Sequence, residues 1–226
     1  MKNNHPLDNP VLAALTTKHA KLAVKQNNVL MYKPGVFIMV GAPDTSETTI
    51  KDLSELVPSG GFAGFMGFNP KMEPYFKQQF GVQAFQMVSE TVPEINEVEY
   101  EDLGMPDVKE MMELVDLTKP GSPFFPGMLQ LGKYIGVKED GNLVAMAGER
   151  VKLDGYTEIA LVCTHPNYRR KGYAASLSAV LMKEIIDNGD KPFLHVMSHN
   201  VPAIKLYEKL GFKTRTEYPI ASYQRM

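Results

Sequence analysis

The residues with the clearest chemical potential are a basic triplet followed by small side chains. They are Arg169, Arg170, Lys171, Gly172, Tyr173, Ala174 and Ala175. The triplet follows a β-like apolar segment and leads into a segment with helical apolar periodicity. The first N–H groups of a helix lack partners within it and carry partial positive charge, so they bind phosphate oxygens. Small residues let a phosphate approach the backbone and the basic side chains add countercharge, which predicts an anion site.

Two nucleotide-binding motifs are excluded at this site. The run has no Gly-Lys-Ser/Thr ending at the spacing of a P-loop, and it does not contain Gly-x-Gly-x-x-Gly. A nucleotide-phosphate enzyme is therefore poorly supported.

A second chemical feature is a pair of glutamates near a hairpin. Asp154 and Gly155 lie between β-like runs, a strong signal for a two-residue turn. A regular register would pair residue 151 with Glu158 and Glu149 with residue 160. Glu149 and Glu158 would then share one face, roughly 7–8 Å apart. Their repulsion predicts that one pKa rises toward the range of a general base. Exposure to solvent, or pairing with Arg150 or Lys152, is the alternative interpretation.

A third feature is the segment at residues 200–212, which follows a predicted helix and strand. It contains Asn200, Ala203, Tyr207, Gly211 and Phe212. Together the two segments resemble motif A (Arg/Gln-x-x-Gly-x-Gly/Ala) and motif B (Asn-x-x-Ala-x-x-x-Tyr-x-x-x-Gly-Phe) of the GNAT superfamily of N-acetyltransferases. The resemblance covers about residues 97–226. Within that superfamily, this part is similar to the C-terminal domain of glycine N-acyltransferase-like proteins.

The resemblance implies a site for acetyl-CoA or another acyl-CoA. The backbone at residues 170–175 would hold the pyrophosphate, and Asn200 would contact the cofactor. Backbone groups of the preceding strand would bind the pantetheine arm, at Val162, Cys163 and Thr164. Tyr207 would act as general acid toward the leaving thiolate, a role that a phenol can fill chemically. Glu158 occupies the position of a glutamate that serves as base or orders a water.

The function implied is transfer of an acetyl or other short acyl group from CoA to an amine by direct attack. The acceptor stays open between a small amine, an amino acid and a protein amine. Direct attack needs no acyl-enzyme, and we interpret Cys163 as a buried small residue. The alternative is a non-catalytic module that binds or senses acyl-CoA. Phe124 and Phe125 would either line the acceptor pocket or pack in the core.

The elements that must position these residues alternate between helices and strands. Helices are predicted at residues 10–25, 45–56, 74–80, 106–117, 172–188 and 201–210. Strands are predicted at residues 29–32, 36–40, 82–89, 98–103, 134–138, 143–152, 157–163 and 193–197, followed by closing strands. This order predicts an α/β or α+β fold. The resemblance implies a GNAT-like mixed sheet flanked by helices.

The chain divides into two parts on this pattern, at residues 1–89 and 97–226, with a polar linker at residues 90–96. The first part carries no chemistry that we can identify. Its strand–helix–strand layout favours a degenerate GNAT-like half; a lid over the acceptor site and a homodimer contact are the other interpretations.

Composition sets further bounds. The 226 residues are 44% hydrophobic and carry a formal net charge of −2, which argues against a nucleic-acid partner. Cys163 is the sole cysteine, so no intramolecular disulfide forms. No metal ligands lie at a recognisable spacing, since His195 and His199 lack partners there. The N-terminus has no signal-peptide core, and apolar runs are too short to span a membrane. We therefore predict a soluble, cytoplasmic protein.

Overall fold

A computed structural model describes residues 5–94 and 98–226. The predicted linker at 90–96 and the predicted start of the second part at 97 lie partly outside these residues. The described helices are α1 (Pro10–Thr16), α2 (Glu47–Leu56), α3 (Val108–Thr118), α4 (Tyr173–Asp187) and α5 (Val201–Lys209). Short 3₁₀ turns connect several elements.

Eight of the described strands form one mixed sheet, in the order β4-β11-β5-β10-β9-β8-β7-β6. Their bounds are β4 (Phe62–Met66), β5 (Phe76–Val88), β6 (Glu101–Asp102), β7 (Tyr134–Glu139), β8 (Asn142–Leu153), β9 (Tyr156–Thr164), β10 (Lys191–Met197) and β11 (Lys213–Arg225). A small sheet holds β1 (Ala23–Gln26), β2 (Val29–Tyr32) and β3 (Val40–Gly41). The predicted fold class, a mixed sheet flanked by helices, is confirmed.

The first part of the chain contributes to the large sheet. Strand β5 lies between β10 and β11, and β4 pairs with β11 at the edge. The predicted parts at 1–89 and 97–226 therefore share one sheet. The domain bounds themselves stay a prediction.

Both faces of the sheet are covered by helices, because side chains of one strand alternate between faces. Met146 of β8 packs with residues of α1 and α3, whereas its neighbours Ala145 and Ala147 pack with α4. Helix α4 buries one apolar side against the sheet, at Leu177, Leu181, Met182 and Ile185. Partly buried residues of α5 pack against the same cluster on this face.

Several predicted elements differ from the structure. The helix predicted at 74–80 is wrong, because residues 76–80 lie in the long strand β5 and pair with β11. Phe80 is 42% exposed on this strand. The helix predicted at 10–25 ends at Thr16. The strands predicted at 36–40 and 98–103 shorten to Val40–Gly41 and Glu101–Asp102.

Candidate active site

The predicted anion site lies where β9 is joined to α4. Two residues of this loop have positive φ, Arg170 at 65° and Gly172 at 90°. The first helical hydrogen bond runs from the Ser176 N–H to the Gly172 carbonyl, at 3.0 Å. Within the described part of the chain, the N–H groups of residues 170–175 have no acceptor. This row of unpaired donors at the start of a 15-residue helix fits a pyrophosphate.

The basic side chains add charge but are not buried in the loop. Arg169 and Arg170 are exposed. The Lys171 Nζ lies 4.9 Å from the ring centre of Tyr168 and 5.9 Å from that of Tyr173. The Tyr173 hydroxyl donates to Glu139. The backbone is therefore the better-defined anion contact, with these side chains around it.

A cleft opens between β9 and β10 beyond the first residues of each strand. The two strands pair in parallel from Lys191↔Tyr156 to Phe193↔Glu158, after which β10 continues to pair only with β5. Leu161 has φ 55°, at the point where the β8–β9 register is irregular. A cavity of about 540 Å³ lies along this cleft, lined on its two sides by residues 159–162 and 195–197. Unpaired strand backbone beside a cavity fits the amide groups of a pantetheine arm.

Three predicted pantetheine-binding residues lie at different places. Val162 lines the cavity, but Cys163 and Thr164 do not. The Cys163 side chain is buried on the opposite face, and burial raises the pKa of its thiol to about 11. The interpretation of Cys163 as a buried small residue agrees with this position.

The two motif B residues with a predicted role, Asn200 and Tyr207, line the cavity. Asn200 caps helix α5, with its Oδ1 accepting from the Ala203 N–H at 3.3 Å. Tyr207 lies two turns further along α5, and its ring lines the same cavity. Burial raises the pKa of the Tyr207 phenol above its usual value. In the described residues its hydroxyl has no hydrogen-bond partner, so a protonated donor faces the cavity.

Glu158 forms a buried ion pair. Its carboxylate accepts from Arg150 Nε at 2.9 Å and Nη2 at 2.7 Å, and His195 Nδ1 lies 2.8 Å from its Oε1. Burial alone would raise the pKa of this carboxyl, but the charge and hydrogen bonds of Arg150, with His195, outweigh burial and lower it to about 2. The prediction of two adjacent glutamates, one with a raised pKa, is wrong: Glu158 pairs with Arg150 and Glu149 with Lys152, which is the alternative interpretation.

A bulge in the hairpin explains this error. The turn pairs Leu153 with Tyr156 as predicted, but the register shifts between Lys152 and Glu149, so that Glu149 pairs with Ile159. Glu149 therefore accepts from the Lys133 N–H at 3.0 Å and from Lys152 Nζ at 2.8 Å. The extra residue in β8 puts Arg150, and not Glu149, beside Glu158.

The protonation state of His195 follows from its second partner. Gln86 Nε2 lies 2.9 Å from the Leu7 carbonyl and 3.1 Å from His195 Nε2. A carbonyl accepts only, so the Gln86 amide nitrogen must face it, and the same nitrogen donates to His195 Nε2. The remaining imidazole proton is then on Nδ1 and donates to Glu158. His195 is a neutral imidazole held between two partners.

Sequence reasoning missed part of the cavity wall. Arg150 and His195 line it, as does a set of apolar residues from the first part of the chain and from β11. These positions have no motif, because distant segments bring them together. Phe125 of the predicted acceptor loop lines the cavity, whereas Phe124 packs against Tyr134 in the core.

Residues 5–94 and 98–226 contain no group of three or more His, Cys, Asp or Glu that could hold a metal ion. No helix among them is both long enough and apolar enough to cross a bilayer.

Comparison with known proteins identifies the family. Residues 134–220 match the model of the FR47-like protein family. A structure from Novosphingobium aromaticivorans, described as an acetyltransferase of the GNAT family, is 31% identical, with a TM-score of 0.89 over 99% of this chain and 100% of the other. The chain therefore belongs to the GNAT family of acetyltransferases, which confirms the resemblance seen in motifs A and B.

Two more distant structures share the fold. A GCN5-related N-acetyltransferase from Kribbella flavida has a TM-score of 0.61 at 15% identity, over 95% of each chain. A Drosophila protein also has a TM-score of 0.61, at 17% identity, over 88% of this chain and 73% of the other. No curated protein sequence matches this chain significantly. The narrower resemblance to glycine N-acyltransferase-like proteins stays a prediction.

Proposed function

We propose that the protein transfers an acetyl or other short acyl group from CoA to the nitrogen of an amine by direct attack. One observation carries this proposal: Tyr207 lines the cavity beside the cleft between β9 and β10, and β9 leads into the unpaired N–H groups at 170–175. Membership of the GNAT family supports acyl transfer from acetyl-CoA.

The chain's own residues would divide the work along this path. The N–H groups of residues 170–175 bind the pyrophosphate oxygens, and the exposed basic side chains add long-range attraction. The unpaired edges of β9 and β10 bind the amide groups of the pantetheine arm. When bound, acyl-CoA supplies the activated thioester carbon. Tyr207 then gives its proton to the departing sulfur, and its raised pKa keeps that proton in place until the carbon–sulfur bond breaks.

For Glu158 we propose a positioning role in place of the predicted role as base. Both carboxylate oxygens are engaged, the side chain is fully buried, and its low pKa leaves little basicity. The carboxylate holds the Arg150 guanidinium and the His195 imidazole at the cavity wall.

A thermal-shift titration with acetyl-CoA, longer acyl-CoA and CoA tests the proposal. A ligand at 100 times its Kd stabilises a protein by about 2.7 kcal/mol, so the midpoint should rise clearly. Release of free thiol with an amine panel then separates a transferase from the alternative, a module that only binds acyl-CoA. No midpoint shift with any of these ligands would contradict the proposed function. The cytoplasmic location and the homodimer contact stay predictions.

A further inference from the structure

The cavity continues past the cleft into a chamber whose walls are apolar. We call it the acceptor chamber, and it is defined by Phe37, Met39, Phe62, Met66, Phe80 and Ile220. Phe37, Met39 and Met66 are buried, whereas Phe62 and Phe80 are 44% and 42% exposed and form its rim. Residues of the first part of the chain, together with β11, therefore build the end of the cavity opposite Tyr207.

Charge is sparse along the whole cavity. Among the described residues that line it, Arg150 is the only formally charged side chain, and no Asp or Glu lines it. The Arg150 charge is neutralised by Glu158, which lies behind it at 2.7 Å. His195 is neutral because Gln86 donates to its Nε2. The polar wall thus has no net charge.

Arg150 still has an unused donor. Its Nε and Nη2 donate to Glu158 and its guanidinium lies 5.3 Å from the ring centre of Phe37. In the part of the chain that the structure describes, Nη1 has no partner, and it is not among the atoms fully shielded from solvent. A guanidinium with only 8% of its side chain exposed therefore offers the two N–H groups of Nη1 to the cavity.

From these features we propose the class of acceptor, an inference that rests on the proposed function. The acceptor is a small amine with an apolar body and no second charge, carrying a neutral oxygen that accepts from Arg150 Nη1. A second ammonium group would find no carboxylate in the chamber. A carboxylate would add an unbalanced negative charge beside a pair that is already neutral, and unbalanced charge in an apolar site is costly.

The same surroundings favour the reactive form of the amine. An apolar chamber without carboxylates disfavours an ammonium and so lowers the pKa of a bound amine. The neutral nitrogen attacks the thioester carbon, a carbon–nitrogen bond forms and the carbon–sulfur bond breaks. The nitrogen loses one proton to water and the sulfur gains one from Tyr207, which recovers its proton from water. The chamber itself thereby reduces the need for a strong base.

Four matched amines test the class with the unmodified protein: phenylalaninamide, phenethylamine, phenylalanine and 1,5-diaminopentane. The readout is kcat/KM from thiol release with acetyl-CoA. We expect phenylalaninamide to exceed phenethylamine about tenfold, as one hydrogen bond to a charged donor allows. Both should exceed phenylalanine and the diamine by about a hundredfold or more. Preference for the amino acid or the diamine would overturn the inference.

A rim substitution tests the charge argument separately. Phe80→Glu adds a carboxylate at an exposed position, where the fold tolerates change, and Phe80→Gln is its uncharged control. The ratio of kcat/KM for the diamine to that for phenylalaninamide should rise about tenfold in Phe80→Glu and stay constant in Phe80→Gln. An equal ratio in both variants would overturn the inference.

The two levels of the proposal fail differently. No thermal shift with any CoA thioester, and no thiol release with any amine, would defeat the proposed function. Thiol release with phenylalanine or 1,5-diaminopentane, but not with phenylalaninamide or phenethylamine, would defeat the acceptor class alone.

Discussion

Tyr207 has the two properties that a general acid at this site requires. Its hydroxyl lines the cavity without a protein partner in the described residues, and burial raises its pKa above the usual phenol value. The phenol therefore stays protonated to a higher pH than an ordinary tyrosine. Activity should show no loss from Tyr207 ionisation on the alkaline side up to its unperturbed pKa of about 10.

Replacing Tyr207 with phenylalanine tests this role. Tyr207→Phe keeps the ring and its packing against Phe212 but removes the proton donor. We expect kcat to fall by about 100-fold or more, the usual contribution of a general acid, with acetyl-CoA affinity unchanged. Steady-state kinetics and a binding titration give both quantities. Unchanged kcat would remove the acid assignment.

Arg150 and Glu158 are a buried pair whose members depend on each other. Arg150→Met leaves a carboxylate buried without its main partner, and we expect it to cost about 3–5 kcal/mol in the free energy of unfolding. The double variant Arg150→Met, Glu158→Met removes both charges and should cost clearly less than the sum of the two single changes. Denaturant unfolding of all four proteins measures the coupling. Additive costs would show that the pair does not act as a unit.

The loop before α4 is the element whose backbone conformation carries the binding proposal. Gly172 has φ 90°, with open space where a Cβ would lie, so a side chain there strains the backbone without a clash. Gly189, beyond the other end of α4, has φ 83° and the same open surroundings. The two glycines form a matched pair at opposite ends of one helix.

Alanine at each glycine separates stability from binding. Both Gly172→Ala and Gly189→Ala should lower the free energy of unfolding by about 1 kcal/mol, since alanine tolerates positive φ poorly. Only Gly172→Ala should also weaken acetyl-CoA binding, by about fivefold for each kcal/mol of binding free energy lost. Denaturant unfolding and a binding titration distinguish the effects. Equal loss of affinity in both variants would contradict the assignment of the loop.

The sequence was most informative where the signal is local. Asn200 and Tyr207 lie in one short motif and line one cavity, and Gly172 lies in a second short motif at the start of α4. Both Glu149 and Arg150 were open as the neighbour of Glu158, because a single extra residue in β8 reverses which side chain meets it. The strand character of residues 76–80 escaped prediction for a related reason: their pairing partners are at the far end of the chain. Local patterns do not encode either fact.

At the scale of the molecule, a buried histidine joins distant segments. His19 Nδ1 lies 2.9 Å from the Tyr32 hydroxyl, and its Nε2 lies 3.0 Å from the Leu131 carbonyl. The carbonyl requires a proton on Nε2, so Nδ1 accepts from Tyr32 and the ring is neutral. Burial lowers the pKa of His19 to about 4. Protonation of Nδ1 would keep the bond to the Leu131 carbonyl but would put a charge on a buried ring, which costs stability.

The lowered pKa of His19 predicts that the folded protein loses stability in acid within a defined pH range. The unfolded chain binds a proton at His19 below about pH 6.5, but the folded protein does not until about pH 4. The free energy of unfolding therefore decreases as the pH is lowered from about 6.5 to about 4. The loss approaches about 3 kcal/mol at the lower limit. Glu158 adds its own loss only below its unfolded pKa of about 4.5. Unfolding curves at pH 7 and 4.5 measure how the free energy of unfolding changes with pH. His19→Gln should largely abolish this change, and His5→Gln should largely preserve it.

The position of β11 has a consequence for how the protein is made. Strands β4 and β5 are synthesised early, yet β4 pairs only with β11 in the large sheet, and β5 pairs with β10 and β11. All of these partners come after residue 190. During synthesis β4 and β5 are therefore made before the segments that pair with them in the large sheet, and that half of the sheet forms only after residues 191–225 exist. The acceptor chamber, which β11 helps to build, is completed at that same moment.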